Sequence, residues 1–87
     1  KTVLWGSGSK GVAFLSTLQV SEAIEYVVDI NPFRQGKYMP ATGQQIVSPE
    51  FLMEYNPDLV IGMNPIYVDE IQGDLDRLNI GAKLLAV

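Results

Sequence analysis

Apolar residues occur along the chain in short runs, separated by glycine, proline and asparagine. Four of these runs are continuous, as in strands buried on both faces of a parallel sheet. Residues 2–5, 26–30, 58–63 and 82–87 are therefore predicted strands. Glycine follows the first strand, and Asn-Pro pairs follow the second and third. Proline ends a strand because it has no N–H to donate to the neighbouring strand.

The segments between the strands predict three helices. Residues 10–19 carry a dense apolar cluster, and residues 67–78 repeat apolar positions at steps of three and four. Ser48, followed by Pro49 and an acid, predicts an N-capped helix that ends near Tyr55, before a second Asn-Pro pair. The remaining segment, 33–46, contains glycine and proline among polar residues and is predicted to be a long loop with room for a short hairpin.

This order of elements predicts an α/β fold with parallel strands, right-handed crossovers and helices on both faces. We expect a Rossmann-like three-layer sandwich with a mostly parallel sheet of about four strands. The 87 residues allow one small domain, 1–87. Because the sequence opens on Lys1 and enters a strand almost at once, we expect it to be a piece of a longer protein.

Composition narrows the possible functions. The chain is 47% hydrophobic and 18% charged, as in folded proteins, and no apolar run approaches the roughly 20 residues that span a bilayer. We expect a cytoplasmic protein that does not bind membranes. The net charge of -4 argues against nucleic acid as a partner. Cysteine and histidine are both absent from the sequence, which removes most catalytic and metal-binding side chains.

The segment that follows the first predicted strand matches G-x-G-x-x-G through Gly6, Gly8 and Gly11. In the dinucleotide fold such glycines permit a tight turn and close approach of phosphates, and an acid after the next strand accepts from a ribose hydroxyl. Asp29 stands at that place. Glycine turns also join strands to helices in domains that bind nothing. A Walker-type loop is excluded, because Val12 replaces the magnesium-binding hydroxyl.

Chain length favours a single nucleoside diphosphate over NAD, because a dinucleotide site needs two mononucleotide halves. A helix N-terminus contributes at most about 2 kcal/mol to an anion, whereas micromolar binding needs about 8 kcal/mol. Lys10, Arg34 and Lys37 follow strand ends and predict a cationic rim on which Asp29 is the only acid. Arg34 and Lys37 are equally explained as solvated loop residues.

Polar residues at the other strand ends add weaker candidates. Asn31 and Asn64 could reach sugar hydroxyls, although Asn-Pro also forms turns by itself. Ser7 and Ser9 have no histidine to activate them, so no catalytic residue and no metal ligand is predicted. The predicted substrate-binding residues are Gly6, Ser7, Gly8, Ser9, Lys10, Gly11, Asp29, Asn31, Arg34, Lys37 and Asn64.

Several segments together resemble a known family. They are Val3-Leu-Trp-Gly-Ser-Gly-Ser-Lys-Gly11, Tyr26-Val-Val-Asp-Ile-Asn-Pro32, Gln35-Gly-Lys-Tyr38, Gly43-Gln-Gln-Ile46, and Pro57-Asp-Leu-Val60 with Asn64-Pro65. This set is similar to the C-terminal domain of the S-adenosylmethionine-dependent sugar C-methyltransferases. Many members of that family carry alanine or another small residue where Gly8 stands.

The resemblance implies a Rossmann-like domain that helps to bind a nucleotide diphosphate-sugar and lacks catalytic residues. It also implies partners in the same chain: a methyltransferase domain that binds S-adenosylmethionine, and a zinc-binding segment. No cofactor is then expected in this domain itself. The alternatives are a nucleotide-, NAD- or CoA-binding regulatory domain, and a structural domain that only docks its neighbours.

Overall fold

The computed structural model describes residues 1–17 and 22–87 as an α/β fold built on one sheet. Its strands and α-helices, in chain order, are β1 (Thr2–Trp5), α1 (Ser9–Thr17), β2 (Ile24–Val28), β3 (Gln45–Val47), α2 (Leu52–Tyr55), β4 (Leu59–Gly62), α3 (Val68–Arg77) and β5 (Lys83–Ala86). The spatial order is β3-β2-β1-β4-β5, and every pairing is parallel. This is the order of the first five strands of the dinucleotide fold, so the predicted fold class is confirmed.

The sheet has five strands within the described residues, one more than predicted. The additional strand is β3, which lies at the end of the predicted loop 33–46 and pairs with β2 through Tyr26 and Gln45. A three-residue strand is too short to show a hydrophobic period, so the pattern along the chain does not reveal it. The expected short hairpin forms around one antiparallel bridge between Tyr38 and Gln45. On either side of it, the Met39 N–H donates to the Gln44 carbonyl oxygen and the Ile46 N–H to the Lys37 carbonyl oxygen, each at 2.7 Å.

The other strands lie where the apolar runs predict them, with shifted ends. β2 begins two residues before the predicted 26–30 and ends at Val28. Asp29 therefore stands just beyond the carboxyl end of the strand, although its N–H still donates to the Val47 carbonyl oxygen at 3.1 Å. β4 and β5 are each one residue shorter at both ends than predicted.

Helices cover both faces of the sheet, as expected for a three-layer sandwich. On one face, strand residues such as Val3 and Val60 pack against α2 and α3, where Leu52 and Leu75 are fully buried. On the other face, Leu4 and Val27 pack against Leu15 of α1. Each fully buried leucine contributes about 1.5–3 kcal/mol of hydrophobic free energy, so both layers stabilise the fold.

Local signals explain where the helices begin and end. Pro49 opens a short 3-10 turn that leads into α2, and Asn56 ends that helix with a left-handed φ of 57°. Ser48 occupies the cap position, but its side chain makes no capping hydrogen bond among the described residues. The predicted end of α1 at Gln19 lies outside the described residues, while α3 agrees with the predicted 67–78 to within one residue.

Candidate functional site

A cavity of about 470 Å³ opens at the carboxyl ends of β1, β2 and β4. This volume lies in the range of small-molecule sites, and the position is the one where open α/β sheets bind ligands. Its lining residues are Trp5, Gly6, Gly8, Ser9, Lys10, Gly11, Asp29, Ile30, Met63, Asn64, Tyr67, Glu70, Ile71 and Asp74. The glycine loop therefore forms one wall of the cavity, and α3 forms part of the opposite wall.

The three glycines of this loop differ in what requires them. Gly6 has a φ of +125°, which side chains rarely adopt, and its N–H donates to the Val28 carbonyl oxygen at 2.8 Å. A Cβ on Gly11 would collide with the Gly6 carbonyl oxygen. Gly8 has an ordinary φ, and a Cβ there would meet only the Arg34 guanidinium, at 3.6 Å. The protein's own packing thus requires glycine at two positions, whereas a Cβ at Gly8 would make only an ordinary contact.

Ser7, Asp29 and Arg34 form one hydrogen-bonded group beside the loop. The Ser7 hydroxyl donates to Asp29 Oδ2, and the Ser7 N–H donates to the same oxygen at 3.3 Å. Arg34 Nη1 lies 3.4 Å from Asp29 Oδ2 and 3.3 Å from Ser7 Oγ. Asp29 Oδ1 accepts from the Asn31 N–H at 2.9 Å. The carboxylate therefore links the end of β2 to the glycine loop.

The pKa of the Asp29 carboxyl lies below its ordinary value. Partial burial works to raise this pKa, but hydrogen bonds from the Ser7 hydroxyl and from the Asn31 and Ser7 amides outweigh that effect. The nearby Arg34 guanidinium lowers the pKa further. Asp29 is accordingly ionised at neutral pH and holds its donors as a carboxylate.

A second cavity, of about 490 Å³, adjoins the first at the loop. Gly8 and Ser9 line both cavities, whereas Ser7 and Arg34 line the second one only. Arg34 has a side chain that is half exposed, at 49%, whereas the Asp29 side chain is 12% exposed. The guanidinium thus stands over the loop on the side away from α3, within reach of anything that crosses Gly8.

The charge of the first cavity differs from the sequence prediction. Asp29 was expected to be the only acid on a cationic rim, but Glu70 and Asp74 of α3 also line the cavity. Lys10 is the only cation among the lining residues. The helix periodicity places both acids on a polar face, and this face turns towards the cavity because α3 packs its apolar stripe on the sheet. Anion binding is thereby favoured at the loop and disfavoured towards α3.

The structure brings most of the predicted residues together at the cavities and leaves two of them outside. Gly6, Gly8, Ser9, Lys10, Gly11, Asp29 and Asn64 line the first cavity, and Ser7 and Arg34 border it through the loop. Asn31 and Lys37 are exposed and line neither cavity. The side chains of Asn31 and Asn64 accept from the amides of Phe33 and Ile66, which are the turn-forming contacts of an Asn-Pro pair.

The model of the C-methyltransferase C-terminal domain family matches residues 1–86. The chain belongs to this family. The resemblance predicted from the glycine loop and the Asp-x-Asn-Pro segment is thus confirmed. No match is found among curated proteins.

Solved structures with the same fold include three of RSP, a Rex-family repressor: the protein without a stated ligand, its complex with β-NAD+ and operator DNA, and its complex with β-NADH. Their TM-scores are 0.67, 0.68 and 0.66, each at 16% sequence identity and over 99% of this chain. This chain spans about half of those repressor chains, 51%, 49% and 52% of their lengths. At this identity the likeness establishes the fold.

Two further observations describe this C-methyltransferase C-terminal domain. Within residues 1–17 and 22–87, no group of three or more acidic, histidine or cysteine side chains is arranged to hold a metal ion. In the same part of the chain, no helix has the length and apolar character needed to cross a bilayer. The site itself is formed by the glycine loop, its Ser7–Asp29–Arg34 group and the cavity wall.

Proposed function

We propose that this domain binds the nucleotide diphosphate-sugar substrate of an S-adenosylmethionine-dependent C-methyltransferase and takes no direct part in catalysis. The observation that carries the proposal is the open backbone at Gly8, which lies between two cavities at the N-terminus of α1. The protein's own contacts do not require glycine there, so the space suits a group that approaches the backbone closely. A diphosphate is such a group.

The diphosphate would lie across the loop, where the first amides of α1, Lys10 and Arg34 favour negative charge. Lys10 lines the first cavity and Arg34 the second, so cations stand on both sides of Gly8. Glu70 and Asp74 of α3 line the first cavity as well, whereas its third acid, Asp29, is paired with Arg34. The part of the ligand that faces Glu70 and Asp74 would be uncharged and rich in hydroxyl groups, because carboxylates accept from hydroxyls and repel phosphates.

Apolar surface in the first cavity supports a ligand with a ring. Trp5, Met63 and Ile71 are buried residues that expose part of their surface to the cavity, and Tyr67 lies half exposed at its edge. Aromatic side chains bind sugar rings and bases through their faces and edges. Base and sugar would then occupy this cavity while the phosphates remain at the loop.

The methyl donor, the zinc ion and the catalytic base would belong to other domains of the same chain. The sequence contains no histidine and no cysteine, and the carboxylate beside Ser7, that of Asp29, is a weak base because its pKa is lowered. A methyltransferase domain is the partner implied by the family, because the family is the C-terminal part of such enzymes. We place the protein in the cytoplasm, away from membranes, and the net charge of -4 argues against a nucleic-acid partner.

The test is a titration of the full-length protein with dTDP, UDP, NAD and CoA, followed by the amide NMR shifts of residues 6–11. We expect dTDP or UDP to shift these amides at lower ligand concentrations than NAD and CoA. A response to NAD or CoA alone would contradict the proposal. No response to any of the four would favour a structural docking domain.

A second candidate is a nucleotide-sensing regulatory domain that binds NAD or CoA. The observation in its favour is the fold shared with RSP, a repressor whose solved structures include complexes with NAD+ and NADH. The same titration separates the two functions. Binding of NAD or CoA with an affinity at least tenfold above that for dTDP would favour the sensor.

A further inference from the structure

Asp29 has little acceptor capacity left for a ligand. A carboxylate oxygen offers two lone pairs, and Oδ2 already faces three donors: the Ser7 hydroxyl, the Ser7 amide and Arg34 Nη1. Oδ1 accepts from the Asn31 amide and, among the described residues, keeps one position free. A ribose diol that engages both oxygens, as in dinucleotide sites, would have to displace Ser7 or Arg34.

Displacement is unfavourable, because these contacts maintain the local backbone. Ser7 is buried, with 8% of its surface exposed, and its two donors would lose their acceptor. A buried polar group that loses its hydrogen bond is costly to the folded state. The Asp29 carbonyl oxygen also accepts from the Gln35 side chain at 2.8 Å, so both the main chain and the side chain of Asp29 are held in place.

Arg34, in contrast to Asp29, has hydrogen-bonding groups that remain available to a ligand. Among the described residues, its side-chain contacts are made by Nη1, which leaves Nη2 and Nε as further donors of the planar guanidinium. Its side chain is half exposed, and Nη1 lies 3.6 Å from the position of a Cβ on Gly8. Asp29 and Ser7 thus hold a cation over the open part of the loop with unused donors.

We infer that Asp29 is a positioning residue, withheld from the ribose diol, and that the Arg34 guanidinium it holds over Gly8 contacts the phosphates of the ligand. This rests on the proposed function and names the group that recognises the ligand's phosphates. It also implies a specificity. In dinucleotide sites the acid after the second strand accepts from the ribose hydroxyls, whereas Asp29 does not. The ligand is recognised through its diphosphate.

The experiment measures the affinity of the full-length protein for inorganic pyrophosphate, dTDP and UDP by NMR titration. The variants are Asp29→Asn, Arg34→Ala and the double substitution. Two controls each remove one charge from a residue that lines neither cavity: Glu54→Gln on α2, and Lys83→Gln on β5. Urea denaturation of every variant separates loss of binding from loss of folding.

We expect Arg34→Ala to weaken pyrophosphate, dTDP and UDP by a common factor of about tenfold, the size of one charge-assisted hydrogen bond. Asp29→Asn should weaken all three by about threefold, because the guanidinium loses its anchor. The double variant should bind no worse than Arg34→Ala. The controls should bind all three as the wild type does.

Other outcomes overturn the inference in distinguishable ways. If Asp29→Asn weakens UDP and leaves pyrophosphate unchanged, Asp29 is a ribose ligand. If it tightens pyrophosphate, removal of a negative charge outweighs positioning, and the assignment of Asp29 is wrong. If the protein binds dTDP but not pyrophosphate, the phosphate-binding role of Arg34 is contradicted and the proposed function is not. If it binds neither, both are contradicted.

Discussion

The carbonyl oxygen of Gly6 occupies the space that a side chain on Gly11 would need. A Cβ on Gly11 would also lie 3.4 Å from Leu4 of β1, so both the loop and the strand crowd this position. The first turn of α1 is consequently packed against the end of β1. This close approach aims the amides at the start of α1 towards the cavity.

Gly11→Ala should lower the free energy of unfolding by about 1–3 kcal/mol, the usual cost of overpacking. The methyl group would meet backbone atoms of Gly6, which cannot rotate away as a flexible side chain can. Urea denaturation followed by circular dichroism measures the change. An alanine variant as stable as the wild type would show that the loop and helix are less closely packed than described.

Gly73→Ala provides the matched control for a glycine in a helix. Gly73 lies within α3, is exposed, and has no atom within 4 Å of an added Cβ. Alanine there should raise the free energy of unfolding by about 0.5–1 kcal/mol, because it restricts the unfolded chain and favours the helix. The two substitutions are chemically identical and should shift the urea midpoint in opposite directions.

Periodicity predicts the elements that are long enough to show it. α3 repeats buried positions at Ile71 and Leu75, and its predicted bounds agree with the structure to within one residue. β3 has three residues and follows a polar loop, so its identity depends on pairing with β2 and not on its own pattern. The strand order likewise depends on which strands pair, which the order along the chain does not specify.

The sequence predicts which residues lie at the candidate site better than it predicts the contacts among them. The glycine loop and the residues at the strand ends are local signals that a sequence displays. The hydrogen bond from Ser7 to Asp29 joins residues 22 positions apart, and the one from Arg34 to Ser7 joins residues 27 positions apart. Both bonds depend on the spacing of β1 and β2. Asp29 was expected to be the only acid on the rim, yet the packing of α3 makes Glu70 part of the cavity wall.

Substitution of Gly8 should affect ligand binding more than stability. An alanine Cβ would make only an ordinary contact with Arg34, at 3.6 Å, and should change the free energy of unfolding by less than about 1 kcal/mol. Gly8→Leu should extend over the loop and weaken dTDP by more than about tenfold, through displacement of the phosphates. NMR titration of both variants measures this. If the wild type and Gly8→Leu bind dTDP with equal affinity, the phosphates do not lie over Gly8.

Acid should remove a contribution of Asp29 to stability. Because the pKa of this carboxyl is lower in the folded state than in the unfolded chain, its contribution is complete above the unfolded pKa of about 3.9 and is lost as pH falls through the folded value. The difference in unfolding free energy between wild type and Asp29→Asn should therefore shrink below about pH 4.

Urea denaturation of both proteins between pH 7 and pH 3 measures this difference. Glu54→Gln is the matched control, since Glu54 is exposed on α2 and its substitution also removes one carboxylate. The control is measured over the same range, so that the effect of removing one exposed carboxylate can be subtracted. A wild-type advantage over Asp29→Asn that grows as the pH falls would contradict a lowered pKa at Asp29.

Substitution of Leu75 tests whether α3, which supplies one wall of the cavity, is held in place by the hydrophobic core. This core lies on the sheet face that α2 and α3 cover. Its side chain is fully buried in the cluster that joins α3 to β1 and β4. Leu75→Ala should lower the free energy of unfolding by about 2–5 kcal/mol, through lost burial and a residual cavity. Gln72→Ala, on the exposed side of the same helix, should change it by less than about 0.5 kcal/mol. Thermal and urea unfolding of the two variants provide the comparison, and equal effects at the two positions would mean that α3 is held by its intrinsic helicity and not by its buried face.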